Sequence, residues 1–344
     1  MNSKNQFSII GCQHAHIHTF IAEMLALDYE CVGIYEPEHL ELARTTSDKF
    51  SIPIFEHFDP SQLLGEQIDV VGCAAINNRK IEIIELCEKQ GKHIMLDKPA
   101  VTSRVGLTRL QAVAARGRIQ IGMLLTERFR PSIYTLKRQI DEATLGRIVS
   151  IGMRKPHRLN PGIRPDWFYS RERSGGIVVD LLIHDFDLLR WLTGCEIVSS
   201  VGSISKHHLP ERPDFYDTAS VQVELEGGLV AQLYADWHTP DKSWTWGDGR
   251  IFINGTEGCA ELRLSGDPFI TADQPLLLQI TNREAVTRPT LVQPPVTITR
   301  DFLNRIYGCC DVIVTQDDIL LAMAATIEAD EQVIVHYSKE AVAT

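Results

Sequence analysis

Over its first 124 residues the chain alternates short apolar runs with stretches of helical spacing, and this alternation constrains the fold more than any single motif. Apolar runs at 7–11, 31–35, 52–55, 69–75, 93–96 and 119–124 read as strands. Between them, 17–27, 40–50, 81–88 and 105–115 repeat apolar residues at helical intervals; Phe20, Ile21, Met24 and Leu25 share one face. Gly91 suits the C-cap of the helix before the fifth strand. Strands that are apolar along their whole length are buried on both faces, so the sheet is expected to be parallel and covered by helices on both sides. Right-handed crossovers then make it doubly wound.

In such a sheet, ligands sit at the carboxyl ends of the strands. Two strand ends carry chemistry. The apolar run 93–96 stops at Asp97-Lys98-Pro99, and a cation there is costly unless it pairs or works; the plain alternative is a solvated turn lysine. The first strand ends in Gly11-Cys12-Gln13-His14-Ala15-His16. A G-x-G-x-x-G dinucleotide fingerprint would place glycines where Gln13 and His16 stand, so only its first glycine survives. Glu36 ends the second strand, about 20 residues or a little more beyond the loop. There a carboxylate accepts hydrogen bonds from ribose hydroxyls and repels a 2′-phosphate, favouring NAD over NADP; otherwise it is a solvated loop carboxylate. His14, His16 and His18 invite a metal reading, but spacing supplies no further ligand, and no metal is expected. They suit the lining of a helix N-terminus near a bound anion.

The second half changes character. A helix is expected over 130–143, a strand over 148–155 and a polar, proline-containing loop over 156–173. Residues 174–192 read as one helix, opened by Ser174, Gly175 and Gly176 and closed at Gly194. Asp180 and His184 are spaced i,i+4 and share a face, with Asp187 about one turn on. Among Val178, Val179, Leu181, Leu182 and Ile183 they are expected to be partly buried, to shift each other's pKa and to serve proton transfer. A polar stripe with a structural histidine is the alternative. Beyond Gly194, runs at 198–205, 217–224, 229–237, 250–255, 259–264 and 276–281 suggest strands, mostly antiparallel with one wet face. Gly227-Gly228 marks a hairpin. Helices at 301–307 and 318–335 close the chain.

A length of 344 residues suggests about two domains, placed at 1–124 and 125–344. A net charge of -11 and the lack of a basic run argue against nucleic acid, and no stretch reaches the roughly 18 apolar residues of a membrane helix. The amino-terminal residues lack a long apolar segment, so no signal peptide is expected. The eight cysteines show no C-x-x-C spacing, and Cys73 and Cys87 sit in apolar runs. This fits a reducing compartment, hence a cytoplasmic protein. No metal site is read at Cys309-Cys310.

Together these residues resemble the Gfo/Idh/MocA oxidoreductases, a group that includes glucose–fructose oxidoreductase and inositol dehydrogenase. Asp97-Lys98-Pro99 is similar to the family's E-K-P, preceded by Gly91-Lys92-His93. Ser174-Gly175-Gly176 through Asp180 to His184-Asp185 is similar to its G-G-G-x-x-x-D-x-x-x-H-D, and Asp217-Thr218-Ala219-Ser220 and Gly255-Thr256-Glu257-Gly258 also fit. The resemblance implies an α/β Rossmann-type parallel-sheet domain followed by an α+β domain with a large, mostly antiparallel open sheet. The open sheet face, from architecture alone, suggests a homo-dimer or homo-tetramer formed through that sheet. It implies catalytic roles for Lys98, Asp180 and His184, and cofactor contacts from Gly11, Gln13, His14, Ala15, His16, Glu36, Ala75, Asn77, Asp97 and Lys98. NAD is the expected cofactor, and a sugar, polyol or related hydroxyl compound the expected substrate. Ile76 and Lys80 replace the family's usual proline and histidine around Asn77, a departure assigned to the nucleotide side and the pocket rim. Two alternatives remain: a binding or regulatory protein with weakened cofactor affinity, and an NAD-dependent glycoside-cleaving enzyme.

Overall fold

A computed structural model describes residues 5–271, 274–309 and 311–337; Cys310 lies outside them. The chain opens with strands β1 (Gln6–Cys12), β2 (Glu30–Tyr35), β3 (Ile54–Phe55), β4 (Ile68–Ala74), β5 (His93–Leu96) and β6 (Ile121–Met123). Interleaved are helices α1 (Ile17–Ala26), α2 (Leu40–Phe50), α3 (Pro60–Leu63), α4 (Lys80–Lys89) and α5 (Arg104–Arg116). The six strands form one sheet in the order β3-β2-β1-β4-β5-β6, parallel at every pairing. Its interior is the set of residues that defined the strands: Phe7, Ile9, Val70, Val71, Ile94 and Leu96 are all buried, and Phe20, Ile21 and Met24 of α1 complete the core. Sequence periodicity missed α3, although Asp59 caps it by accepting the Ser61 N–H at 2.9 Å and Pro60 begins it.

The second stretch contains α6 (Pro131–Asp141), β7 (Ile148–Pro156), α7 (Arg171–Ser174), α8 (Gly176–Leu181), α9 (Ile183–Thr193), β8 (Ile197–Lys206), β9 (Thr218–Leu225), β10 (Leu229–Asp236), β11 (Arg250–Gly255), β12 (Gly258–Arg263) and β13 (Leu276–Thr281). It ends with α10 (Ile298–Ile306), α11 (Gln316–Gln332) and β14 (Ile334–Tyr337). Eight strands form a sheet in the order β13-β12-β11-β7-β10-β9-β8-β14. Five of its pairings are antiparallel, and β7–β10 and β8–β14 are parallel. Alternation sorts its two faces: Ala231, Leu233 and Ala235 of β10 are buried, while Val230 and Gln232 are exposed. Helix α8 packs on β9 and β10, and α9 on β7.

Two expectations need correction. The single helix over 174–192 is α7, α8 and α9 in succession. Gly175, between α7 and α8, and Gly176, the first residue of α8, take φ of +93° and +69°, which only glycine adopts without strain. The closing helix over 318–335 stops at Gln332; the β-branched run Val333-Ile334-Val335 instead feeds β14, which pairs with β8.

The chain divides into two compact units. One comprises Met1–Leu125, Glu172–Gly175 and Val296–Met323; the other comprises Thr126–Arg171, Gly176–Pro295 and Ala324–Thr344.

Candidate functional site

In the first unit, β1 lies between β2 and β4, the point where the strand order reverses and a crevice opens at the carboxyl ends. Gly11 belongs there for two reasons. Its φ is +86°, and a Cβ on it would stand 2.4 Å from the Cβ of Ala75, just past β4. The Gln13 N–H donates to the Ala74 carbonyl at 2.7 Å, joining the two strand ends. Glu36 is not a solvated loop carboxylate. It is 5% exposed; Oε2 accepts the Cys12 N–H at 2.6 Å and Oε1 the Glu38 N–H at 2.8 Å. It borders a cavity of about 360 Å³ walled by Ile10, Tyr35, Phe58, Ala75 and Leu86. The carboxylate is thus fixed at one side of a largely apolar recess, an arrangement suited to a flat heterocycle carrying a ribose.

At the neighbouring strand end, Asp97 is 1% exposed. The Nδ1 atoms of His14 and His16 lie 3.1 and 3.0 Å from its two oxygens. Lys80, fully buried, donates to the carbonyls of Asp97 (2.7 Å) and Pro99 (3.0 Å), with its Nζ 3.9 Å from Asp97 Oδ2. Burial opposes the Asp97 charge, but His14, His16 and Lys80 outweigh it and hold this carboxyl well below the ordinary range. Lys80, which stands where the family has a histidine, braces the Asp97–Pro99 turn from inside. Lys98, in the same turn, is 5% exposed.

The donor atoms of His14, His16 and Asp97 fall within 4.8 Å of one another. Asp97 is the third donor that histidine spacing alone did not reveal. Lys80 places a competing cation beside it. The two imidazoles also flank the start of α1, where helix N–H groups favour an anion. Ala15 between them is exposed. Gln13 Nε2 donates to the His39 carbonyl, and Asn77 Nδ2 to the Ser174 carbonyl at 2.8 Å. All the cofactor-side residues named from sequence, Gly11, Gln13, His14, Ala15, His16, Glu36, Ala75, Asn77, Asp97 and Lys98, thus lie at or just beyond the carboxyl ends of β1, β2, β4 and β5.

In the second unit, Asp180 is half-buried on α8 and His184 is 8% exposed on α9. Between them Leu182 keeps a helical backbone (φ -80°, ψ -5°), and its N–H donates to Val178. The path from Asp180 to His184 therefore stays helical across the break. Asp187 is occupied elsewhere: it accepts Arg128 Nε at 2.9 Å and Nη2 at 2.6 Å, with both side chains buried. Asp166 pairs with Arg212, and His238 lies 3.1 Å from Asp217.

Beside His184, a buried charge cluster escaped sequence reasoning. Asp185 stands 3.1 Å from Lys155 Nζ at the end of β7. Burial pushes the Asp185 carboxyl up to about 6; Lys155 opposes this and Glu127 adds to it. Glu127 moves the other way: burial resists its charge, but Arg130, Lys155 and His157 hold it below the ordinary range. A lysine closing an apolar strand flagged Lys98; Lys155 near the end of β7 gave no such signal, because that strand alternates buried and exposed residues and is not apolar throughout.

Residues 133–261 match the family model of the GFO/IDH/MocA C-terminal domain. The chain is 29% identical to inositol 2-dehydrogenase 2 of Saccharopolyspora erythraea over 52% of its length and 50% of that protein. It is 30% identical to the scyllo-inositol 2-dehydrogenase (NAD(+)) of Bacillus subtilis over 58% of its length and 57% of that protein. Each match thus spans little more than half of either chain. A solved structure of a candidate oxidoreductase from Erwinia carotovora atroseptica is 26% identical and superposes with a TM-score of 0.86, covering 96% of this chain and 99% of that one. Over residues 133–261, and in its overall likeness to that oxidoreductase structure, the chain is similar to the Gfo/Idh/MocA oxidoreductases.

Proposed function

We propose that this protein is a nicotinamide-dependent dehydrogenase acting on a CH–OH group of a sugar, polyol or related compound, with NAD preferred to NADP. The reading rests above all on the strand crossing of the first unit, where Gly11 closes on Ala75 and Glu36 is held beside a cavity of about 360 Å³. It is supported by the relatives named as inositol dehydrogenases. Glu36 and the residues around Gly11 would hold the cofactor. Backbone N–H groups already fix the Glu36 carboxylate, which favours ribose hydroxyls and repels a 2′-phosphate.

The nicotinamide, when bound, accepts hydride. Oxidation of CH–OH to C=O releases that hydride and one proton. His184 is the proposed acceptor of the hydroxyl proton. Lys98 donates a hydrogen bond to the same oxygen and stabilises its developing charge. Asp180 orients and tunes them. A homo-dimer or homo-tetramer through the open sheet face that exposes Val230, Gln232 and Phe252 completes the reading.

A dehydrogenase screen over sugars and inositols with both cofactors tests this. The expected outcome is NADH formation with at least one substrate. In Lys98→Ala and His184→Ala it should fall by about 10²–10⁴-fold with circular dichroism unchanged. Full activity in either variant removes the role given to that residue.

A further inference from the structure

The loop between β7 and α7 holds two guanidinium groups that form no ion pair among the described residues. Arg164 is stacked over Phe168 at 4.4 Å and Trp237 at 5.0 Å, and reaches Trp246 at 5.7 Å. Its Nε donates to the Leu159 carbonyl at 3.0 Å. Its two terminal nitrogens have no hydrogen-bonded partner among the described residues. Arg158 lies over the same Trp246 at 5.9 Å and uses Nη2 on the carbonyls of Ser243 and Thr245. Its Nε is buried and has no acceptor. No carboxylate stands within ion-pair distance of either group among the described residues. The chain carries a net charge of -11, yet these two arginines around one indole have no carboxylate in direct contact among the described residues.

Aromatic faces hold a guanidinium in place without using its hydrogen-bonding edge. That edge is a planar fork matched to a carboxylate. Burial weakens the Arg164 charge, and Asp180, followed by Tyr169, are the acidic groups that support it. Arg164 therefore lies in the field of Asp180, the carboxylate given the orienting role in the proposed reaction. Its other fork-bearing neighbour on the same aromatic cluster, Arg212 over Tyr169 at 4.7 Å, is already neutralised by Asp166.

We propose that the substrate is a sugar acid rather than a neutral sugar, and that Arg164, with Arg158 behind Trp246, binds its carboxylate. The inference rests on the dehydrogenase reading for the place of Asp180, but it concerns binding and can be tested without turnover.

The test uses the full chain with NADH present. Glucose and galactose are compared with glucuronate and galacturonate, with glucose 6-phosphate as a phosphate arm. Binding is read from quenching of tryptophan emission, since Trp237 and Trp246 border the fork, and oxidation is read separately as NADH formed from NAD. At least one hexuronate is expected to bind about tenfold or more tightly than its neutral parent, as charge-assisted pairing allows. Arg164→Met should abolish that preference while NADH affinity stays, and Arg164→Lys should restore part of it. Equal binding of acid and neutral sugars, binding of the phosphate ester alone, no hexuronate binding, or a preference that survives Arg164→Met would each overturn the proposal. If Arg164→Met loses NADH binding as well, the Arg164→Lys comparison decides: a full loss or full retention of preference there also overturns it. Hexuronate binding without oxidation would uphold the carboxylate site and count against the dehydrogenase reading alone.

Discussion

Two buried carboxylates, one in each unit, respond to burial in opposite ways. Asp97 and Asp185 are 1% and 3% exposed, and each faces a lysine. Asp97 is held far below the ordinary carboxyl range, whereas Asp185 is pushed up to about 6. The difference lies in the company. Asp97 meets two imidazoles and Lys80; Asp185 meets Lys155 alone and shares it with Glu127. Burial sets the penalty for charge, and the number of cationic groups decides whether the charge survives. The strand-end carboxylate of the first unit thus stays ionised at neutral pH. The helix side is built around one poised to change protonation near neutral pH.

The largest test of this contrast is a pair of neutralising substitutions. Asp97→Asn leaves the fully buried Lys80 without its carboxylate and should cost about 3–5 kcal/mol. Asp185→Asn leaves Lys155 with Glu127 and should cost only about 1–2 kcal/mol. Urea unfolding at neutral pH measures both, and an equal or reversed order would break the comparison.

Glycine substitutions separate the units on a smaller scale. Gly11→Ala drives a methyl into the Ala75 backbone and side chain at positive φ. It should cost about 2–3 kcal/mol and weaken NADH binding. Gly176→Ala, also at positive φ, meets only the flexible Arg171 side chain at 3.0 Å. It should cost about 1 kcal/mol.

The subtlest difference is in pH dependence. The folded pKa of Asp185 is raised, so its contribution is fully present below pH 3.8 and is lost as pH rises through about 6. The folded pKa of Asp97 is lowered, so its contribution is present above pH 3.8 and is lost as pH falls through its depressed value. Stability of wild type minus Asp185→Asn should therefore decline from pH 4 to pH 7, while wild type minus Asp97→Asn should stay level there and fall in stronger acid. Slopes of the same sign would show that the two carboxylates do not differ as described.

How far the sequence reveals these features depends on the range of the interactions that make them. The six-stranded sheet was legible because its strands are apolar throughout and its helices periodic; Leu40–Phe50 and His93–Leu96 emerge with the expected ends. The carboxylate and histidine on one helical path were legible because their spacing is local. The bracing of Asp97 by Lys80 was not, since α4 and the end of β5 meet only through the parallel crossover. The Lys155–Asp185 pair joins residues 30 positions apart, and the aromatic seat of Arg164 draws Trp237 and Trp246 from beyond β10. The degraded glycine fingerprint gave little sign that Gly11 would still be obligatory, because its reason is the nearness of Ala75, a tertiary contact.

The central claim is that the crossing of β1 and β4 binds a nicotinamide dinucleotide, with Glu36 selecting its ribose. Titration of the protein with NADH and with NADPH, read by nicotinamide fluorescence, tests it most directly. Saturable binding of NADH, tighter than that of NADPH and weakened in Gly11→Ala, is expected. No binding of either dinucleotide at millimolar concentration would contradict it.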